Sequence, residues 1–267
     1  MRGPHAITGI VVTCNEARRL RASLESLRFC DQLIVTDLGS TDESVEIARQ
    51  CGAEILQRDR VPIVEHIREE LTAHAAHDWI IFLDPDEVFP VEAESELREL
   101  IERLPTLAVI TIGLQFYFFG RPLRSTLWGA IHEKSVVCHR RRTSFPKLVH
   151  HSPCPLPGYE TSTLPSSSRH RIQHYWVDSY RQLFEKHWRY IREEGQARYQ
   201  RGERFSWRRC ASSALLSLKM NLFAHHAWRG GWPGLFLSGF HAWYVGMGIL
   251  SLRRCENALD ADGRRAG

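Results

Sequence analysis

The sequence predicts an α/β protein, a mostly parallel sheet flanked by helices, with a mainly helical C-terminal extension. Three observations predict it. Strand-like and helix-like segments alternate through residues 1–120, a polar cluster directly follows each of three apolar strands, and the alternation stops in the second half. A chain of 267 residues can bury one sizeable core, or one core plus a smaller appended unit.

The elements follow in order. Residues 7–14 (ITGIVVTC) form a β-branched strand, and Asn15 opens an amphipathic helix over 16–28, with Leu20, Leu24 and Leu27 at i, i+4 and i+7. Residues 32–36 (QLIVT) read as a short buried strand leading into the turn-rich DLGSTD of 37–42. A helix over 44–51, a short strand over 54–56 and a helix over 64–76 come next. The apolar strand WIIFL of 79–83 ends at Asp84-Pro85-Asp86-Glu87, and a helix over 92–103 and a long strand over 108–119 complete the first half. Residues 146–168, rich in Pro, Ser, Thr and His, read as a long loop. Helices are expected over 179–198 and 206–227. These features suggest domains over 1–145 and 146–267.

Composition excludes several classes. With 43% hydrophobic and 25% charged residues the chain is not broadly disordered. Its seven cysteines are scattered without a CxxC pair, which argues against a disulfide framework or zinc site and fits a reducing, cytoplasmic compartment. The first twelve residues hold one Arg and no long apolar run, unlike a signal peptide. No nucleic-acid-binding motif is present, so nucleic acid is not an expected partner. The net charge of +4 conceals an asymmetry: residues 1–120 hold 11 Lys+Arg against 21 Asp+Glu, and residues 121–267 hold 24 against 10. An acidic half suits a cation, and a basic half suits anionic partners such as pyrophosphate or a membrane surface.

In parallel sheets ligands gather outside the carboxyl ends of the strands. Three polar clusters should therefore converge there: Thr13-Cys14-Asn15-Glu16, the 37–42 turn and Asp84-Pro85-Asp86. Asp84 and Asp86, one residue apart at a strand end, can share a hard cation such as Mg²⁺ or Mn²⁺ with substrate phosphate oxygens. Ser40 or Asp42 can cap the helix that follows, and Asn15 serves equally as a helix cap or a ligand contact.

Taken in order, IVVTCNEARRLRASLESL, LIVTDLGSTDESVEIARQCGA and REELTAHAAHDWIIFLDPDEVFP resemble the family-2 inverting glycosyltransferases of GT-A fold. The likeness runs over residues 7–90, about a third of the chain. It implies that Thr13, Asn15, Glu16 and Asp37 line a nucleoside pocket and that Arg68 approaches the donor. Asp84 and Asp86 would then hold ribose, metal and diphosphate. Leu38 and Glu69 depart from the family's usual residues, and neither removes a charge that the chemistry needs. Beyond Pro90 the chain resembles bacterial enzymes that add sugars to lipopolysaccharide core or other glycolipids, through Phe119-Gly120-Arg121 and residues 128–142, 149–150, 172–175 and 186–190. The QxxRW sequence of processive synthases is absent, which favours a single sugar addition. A nucleotide-sugar donor, UDP-linked by default, and a lipid-linked acceptor are the implied partners. The acceptor's proton must go to a base, with Glu133 first in order, then Glu87, with His132 and His150 left open. Arg140-Arg141-Arg142 can hold a phosphate or simply be solvated. The alternatives are a nucleotidyltransferase, whose usual glycine-rich phosphate loop is missing, and a non-catalytic binding module at a membrane.

Residues 232–252 hold no Lys, Arg, Asp or Glu. As a helix they would be about 31 Å long at ~1.5 Å per residue, close to a bilayer core. An aromatic stripe (Trp232, Phe236, Phe240, Trp243, Tyr244) and a small-residue stripe (Gly234, Ser238, Ala242, Gly246) share this segment, and arginines border it. A helix lying in the interface of an anionic membrane is the expectation, ahead of a span or a packed soluble helix.

Overall fold

The structure, a computed structural model, describes residues 5–130, 133–147, 152–164 and 170–265. The chain divides into two compact units, one of Met1–Tyr117 and His132–Trp176 and the other of Phe118–Ile131 and Val177–Gly267. The first unit continues past residue 145 because two later strands join its sheet.

The first unit opens with β1 (Ile7–Thr13), α1 (Ala17–Ser26), β2 (Gln32–Asp37), α2 (Ser44–Gln50) and β3 (Glu54–Gln57). It continues with α3 (Arg68–Leu71), β4 (Trp79–Leu83), β5 (Glu87–Val88), α4 (Glu94–Arg103) and β6 (Leu107–Phe118). The intervening β7 (Arg121–Pro122) and α5 (Thr126–Ala130) belong to the second unit. Then come β8 (Glu133–His139), β9 (Thr143–Ser144), β10 (Cys154–Pro155), β11 (Glu160–Thr163) and β12 (Arg171–Val177).

The sheet order is β3-β2-β1-β4-β8-β6-β12-β5, with β11 beside β6. The first four strands run parallel, and β4/β8, β8/β6 and β12/β5 are antiparallel. All seven residues of β1 and all five of β4 are buried, as central strands covered on both faces require. Ile10, Ile34, Ile80, Phe82 and Val109 from the sheet meet Ile67 and Leu71 beneath it. Because β2 and β3 lie on one side of β1 and β4 on the other, the strand order reverses between β1 and β4. That reversal opens a crevice at their carboxyl ends.

Two segments differ from the sequence reading. The helix expected over 64–76 breaks into a 3₁₀ turn (Val64–His66), the four-residue α3 and a second 3₁₀ turn (Thr72–His74). The Thr72 hydroxyl donates to the Glu69 carbonyl at 2.7 Å, one of the local bonds by which threonine competes with a regular helix. Within the expected loop of 146–168, β11 pairs in parallel with β6 through Thr161–Val109 and Thr163–Thr111, where β-branched residues suit the edge of a long strand.

The second unit is helical, with α6 (Tyr180–Gln200), α7 (Trp207–Lys219) and α8 (Gly231–Arg265). The Ser179 hydroxyl caps α6 by accepting from Gln182 N at 3.1 Å. The helix expected over 206–227 ends early, because a π turn (Met220–Ala224) and the left-handed His226 (φ 48°) redirect the chain. The aromatic stripe of α8 packs against α6, with Phe240 5.2 Å from Phe184 and 4.8 Å from His187. Gly195 lets the two helices approach closely, since a β-carbon there would lie 2.6 Å from the Ser251 backbone. Gly195→Val is therefore expected to cost about 2 kcal/mol through forced separation of α6 and α8. Thermal denaturation of the purified variant checks it.

Candidate active site

Three loops meet at the carboxyl ends of β1, β2 and β4. Thr13 pairs with Asp37 in register, and Val11 pairs with Leu83, so Asp84 emerges beside the end of β1. The first two loops are stitched together. Asn15, left-handed at φ 59°, accepts from Thr41 N at 2.7 Å, and Ser40 Oγ accepts from Asn15 N at 2.9 Å. Asp42 accepts from Ala17 N at 3.1 Å and from Ser44 N at 3.0 Å, tying the starts of α1 and α2 together. Asp42, rather than Ser40, thus receives the first backbone N–H of the following helix, whose N-cap position is Glu43. These bonds hold the Asp42 carboxyl below the usual range against the opposing effect of burial. Asp37 is buried, and both its oxygens lie within reach of Ser40 N at 3.1 and 3.2 Å. Glu16 is half-buried at the start of α1, and the Thr13 hydroxyl is enclosed with no hydrogen-bond partner among the described residues. Leu38, the apolar departure in the turn, is buried in the core beneath the sheet.

The third loop carries a dense charge cluster. Lys134 Nζ lies 2.7 Å from Asp84 Oδ2 and 2.7 Å from both oxygens of Glu87. His174, on β12 in register with Glu87, sits 3.3 Å from Glu87 Oε1 and 3.4 Å from Asp86 Oδ2, against the Phe116 ring at 4.6 Å. Glu87 also folds back to accept from Asp84 N at 3.2 Å, which shapes the turn. Burial opposes ionisation of Asp84, but Lys134 and Arg68 prevail and hold its carboxyl at about 2. Burial dominates at Glu87 and raises its carboxyl above the ordinary range, with Lys134 and His174 pulling the other way. Lys134 pays a burial penalty too, yet Asp84 and Glu87 raise its ammonium above the usual range, so it stays charged.

The expected residues fall into groups. Asp84, Asp86 and Glu87 come together, and Arg68 interacts electrostatically with Asp84 while its guanidinium lies 5.9 Å from the Phe82 ring centre. Asp84 keeps 38% of its side chain accessible, whereas Glu87 is fully enclosed. Glu133 is exposed at the first residue of β8, opposite Gly113. Strand alternation sends it to the other face from Lys134, so it does not join the cluster. His132 and His150 lie outside the described residues. Of the three arginines weighed as a phosphate clamp, Arg140 binds Asp78 at 2.8 Å and two backbone carbonyls, and Arg142 binds the Leu107 carbonyl at 2.8 Å. Arg141 also reaches Asp78 through Nε at 3.1 Å, so the run ties loops together.

Lys134 and His174 are the site residues that sequence reasoning missed. A strand register shift explains the first. Ile110 faces Val137 and Thr111 faces Ser135, leaving Val136 as an extra residue in β8. Such a bulge re-aims the side chains beyond it, here Lys134. The signal for His174 is its place between Ile172 and Trp176, two buried residues at period two in RIQHYWV.

The carboxylates can be tested for a divalent cation. No group of three or more His, Cys, Asp or Glu among the described residues could hold an ion unaided. The accessible Asp84 and nearby Asp86 fit an ion that takes one or two carboxylates and completes its shell from substrate phosphate, the usual manner for Mg²⁺.

Known proteins resemble parts of the chain. A TPR repeat-containing protein of Synechococcus elongatus is 36% identical over 99 residues, covering 37% of this chain and 25% of that protein. An uncharacterized glycosyltransferase of Rickettsia felis is 32% identical over 95 residues, covering 34% of this chain and 32% of its own. The matched region thus spans a quarter to a third of the length of these curated relatives. Among solved structures, S. aureus TarS 1-349 in complex with UDP-GlcNAc aligns at 20% identity and TM-score 0.39, over 46% of this chain and 38% of that one. Glucosyl-3-phosphoglycerate synthase from Mycobacterium tuberculosis aligns at 18% identity and TM-score 0.39, over 51% and 57%. The profile described as glycosyl transferase family 2 matches residues 8–155, more than half of the sequence. The chain belongs to glycosyl transferase family 2.

Proposed function

We propose that the protein is a metal-dependent inverting glycosyltransferase that moves one hexose-type sugar from a nucleotide-sugar, UDP-linked by default, to a lipid-linked or lipopolysaccharide-type acceptor. The observation that carries this reading is the meeting of Asp37, Asp84 and Asp86 where the strand order reverses, in a chain of this family. Asp37 and the enclosed Thr13 hydroxyl supply an acceptor and a donor for base and ribose. Glu16 and Asn15 border that pocket. Arg68 offers positive charge to the diphosphate.

Asp84 and Asp86 would hold Mg²⁺ or Mn²⁺, which when bound neutralises charge on the departing nucleoside diphosphate. Lys134 fixes Asp84 as a carboxylate and keeps it oriented. In the reaction the acceptor oxygen bonds to the anomeric carbon while the bond to the diphosphate oxygen breaks, with inversion, and the hydroxyl proton passes to a base. Glu87 is enclosed and gripped by Lys134, so its role is to hold the turn. Glu133, the other carboxylate considered, is exposed on the strand face away from Lys134 and the cluster, so it is not given the proton. The lack of QxxRW favours one addition per acceptor, and the basic, aromatic C-terminal unit suits peripheral attachment to the cytoplasmic face of a membrane.

The reading is tested by incubating the protein with UDP-sugars and bacterial glycolipid, with Mn²⁺ or EDTA, and following UDP release and lipid mass. A gain of one hexose that needs the cation is expected, and no release from any nucleotide-sugar would overturn the proposal. Because Glu133 faces away from the cluster, Glu133→Gln is expected to leave turnover near the wild-type rate with donor affinity unchanged. A pre-steady-state time course checks it, and a loss of about 100-fold in that variant would make Glu133 the proton acceptor.

A further inference from the structure

One face of the helical unit is apolar, uncovered and ringed by positive charge. We infer that it is a membrane-interface surface that seats in the headgroup region of an anionic bilayer. The inference rests on the lipid-linked acceptor reading for its purpose, but its physical grounds are separate from the donor site.

The first ground is exposure. No residue of α7 is buried, although it carries Trp207, Leu215 and Leu216. Leu215 and, on the π turn, Phe223 are each 67% exposed, and Trp232 at the start of α8 is 68% exposed. Met220, Trp228 and Leu235 are exposed as well. This concentration of large apolar groups within residues 207–235 is what a soluble surface normally avoids and a binding face requires. The exposed tryptophans matter in particular, since indole favours the boundary between hydrocarbon and water.

The second ground is charge. Residues 204–255 contain no Asp or Glu but hold Arg204, Arg208, Arg209, Lys219, Arg229, Arg253 and Arg254. Arg209 pairs with Glu203, and Arg253 lies over the Phe205 and Trp207 rings at 5.3 and 5.2 Å. Arg208, Lys219 and Arg229 have no acidic partner among the described residues. They stand beside the apolar groups, as on interfacial helices that bind anionic lipid. A second copy is a poor occupant, because a symmetric contact would set this cationic face against itself with no acidic residue across it.

The third ground is a concavity on the same face. An open cavity of about 340 Å³ is lined chiefly by Leu127, Leu216, Met220 and Val245, with Asn221, His225 and His241 at its polar side. Asn221 and His241 are already engaged. Asn221 accepts from Leu127 N at 2.8 Å and donates to Ser217 O at 3.0 Å, and His241 Nδ1 lies 2.8 Å from Ser217 Oγ and 2.9 Å from Asn221 Nδ2. Burial pushes the imidazole down to about 4, so it stays neutral. The lining therefore suits hydrocarbon better than sugar.

This placement revises the expectation for α8. By length and composition the helix within Ala227–Ala258 can cross a bilayer, its most apolar 18-residue stretch averaging a hydropathy of 1.4. Beyond Trp232, however, its stripes pack on α6 and α7: Phe240 on Phe184, and Gly246 so close to α7 that a β-carbon there would lie 3.8 Å from the Ala214 side chain. The uncovered face belongs mainly to α7, the π turn and the first turn of α8.

The test is co-sedimentation of the full chain with vesicles of phosphatidylcholine alone or mixed with phosphatidylglycerol, together with tryptophan emission. Binding to the mixed vesicles, weaker binding to the neutral ones and a blue-shifted emission are expected. The double variant Leu216→Ser/Phe223→Ser should lose at least about tenfold in partitioning. Lys219→Gln/Arg229→Gln should lose chiefly the preference for anionic lipid. Circular dichroism melting confirms that each variant is folded. If the wild type stays in the supernatant with both vesicle types, or folded Leu216→Ser/Phe223→Ser binds as the wild type does, the inference fails. A dimer in sedimentation equilibrium that this variant dissolves would assign the face to a second copy instead. Nucleotide binding measured on the same samples separates the two readings. Its absence alongside intact vesicle binding would defeat the transferase proposal and leave the surface standing.

Discussion

Lys134→Met is expected to destabilise the protein by about 3–5 kcal/mol, because it strips the ammonium from a fully enclosed Glu87 and leaves an uncompensated charge. The loss should depend on pH, and its sign follows from the groups involved. Glu87 already has a raised carboxyl in the folded state, and removing Lys134 raises it further. Protonation then favours the folded variant, so its deficit should shrink as pH falls toward the unfolded carboxylate value of about 4.3. In the wild type Asp84 acts oppositely. Its depressed carboxyl contributes stability that is present above the unfolded value of about 3.9 and is lost as pH falls toward 2. The raised Lys134 contributes stability that holds through neutral pH and fades above about 10.4. Urea denaturation of both proteins at several pH values checks this, and a variant as stable as the wild type at neutral pH would show that the cluster does not hold the turn.

Asp84→Asn is expected to leave the fold intact and to lower turnover by about 100-fold or more, the scale of several kcal/mol of lost charge stabilisation. The amide keeps an oxygen for Lys134, and the side chain is partly accessible, so packing changes little. Removing the carboxylate weakens the hold on a cation and on the diphosphate it accompanies. Asp86→Ala should act in the same direction, with some added destabilisation because Asp86 is buried beside His174. Melting curves alongside sugar-transfer rates separate the two variants. Full turnover in folded Asp84→Asn would remove this carboxylate from the chemistry.

The parallel half of the sheet was legible because central strands need uninterrupted apolar runs. IVVT and WIIFL are buried throughout, and the polar loops that end them mark the carboxyl rim. The antiparallel half was not. EKSVVCH opens with two charges and carries a bulge at Val136, so neither alternation nor composition marks it as a central strand. Lys134 is the cost of that omission: a lysine beside a glutamate reads as surface until its partners, 47 and 50 residues earlier, are brought alongside. The stitching role of Asn15 and Asp42 was visible only as capping potential, since the bonds cross between two loops. For α8, hydropathy located the helix but not its covered side. That depends on α6 and α7, whose contacts no single segment records.

The most direct test of the central claim is calorimetric titration of the protein with UDP, GDP, ADP and CMP, each with Mn²⁺ and with EDTA, repeated on Asp84→Asn. Selective binding of one nucleoside diphosphate, UDP by default, is expected, needing the cation and lost in the variant. Binding of no nucleotide by a folded sample would contradict it. Equal affinity in EDTA would contradict the metal assignment and give the neutralising role to Lys134.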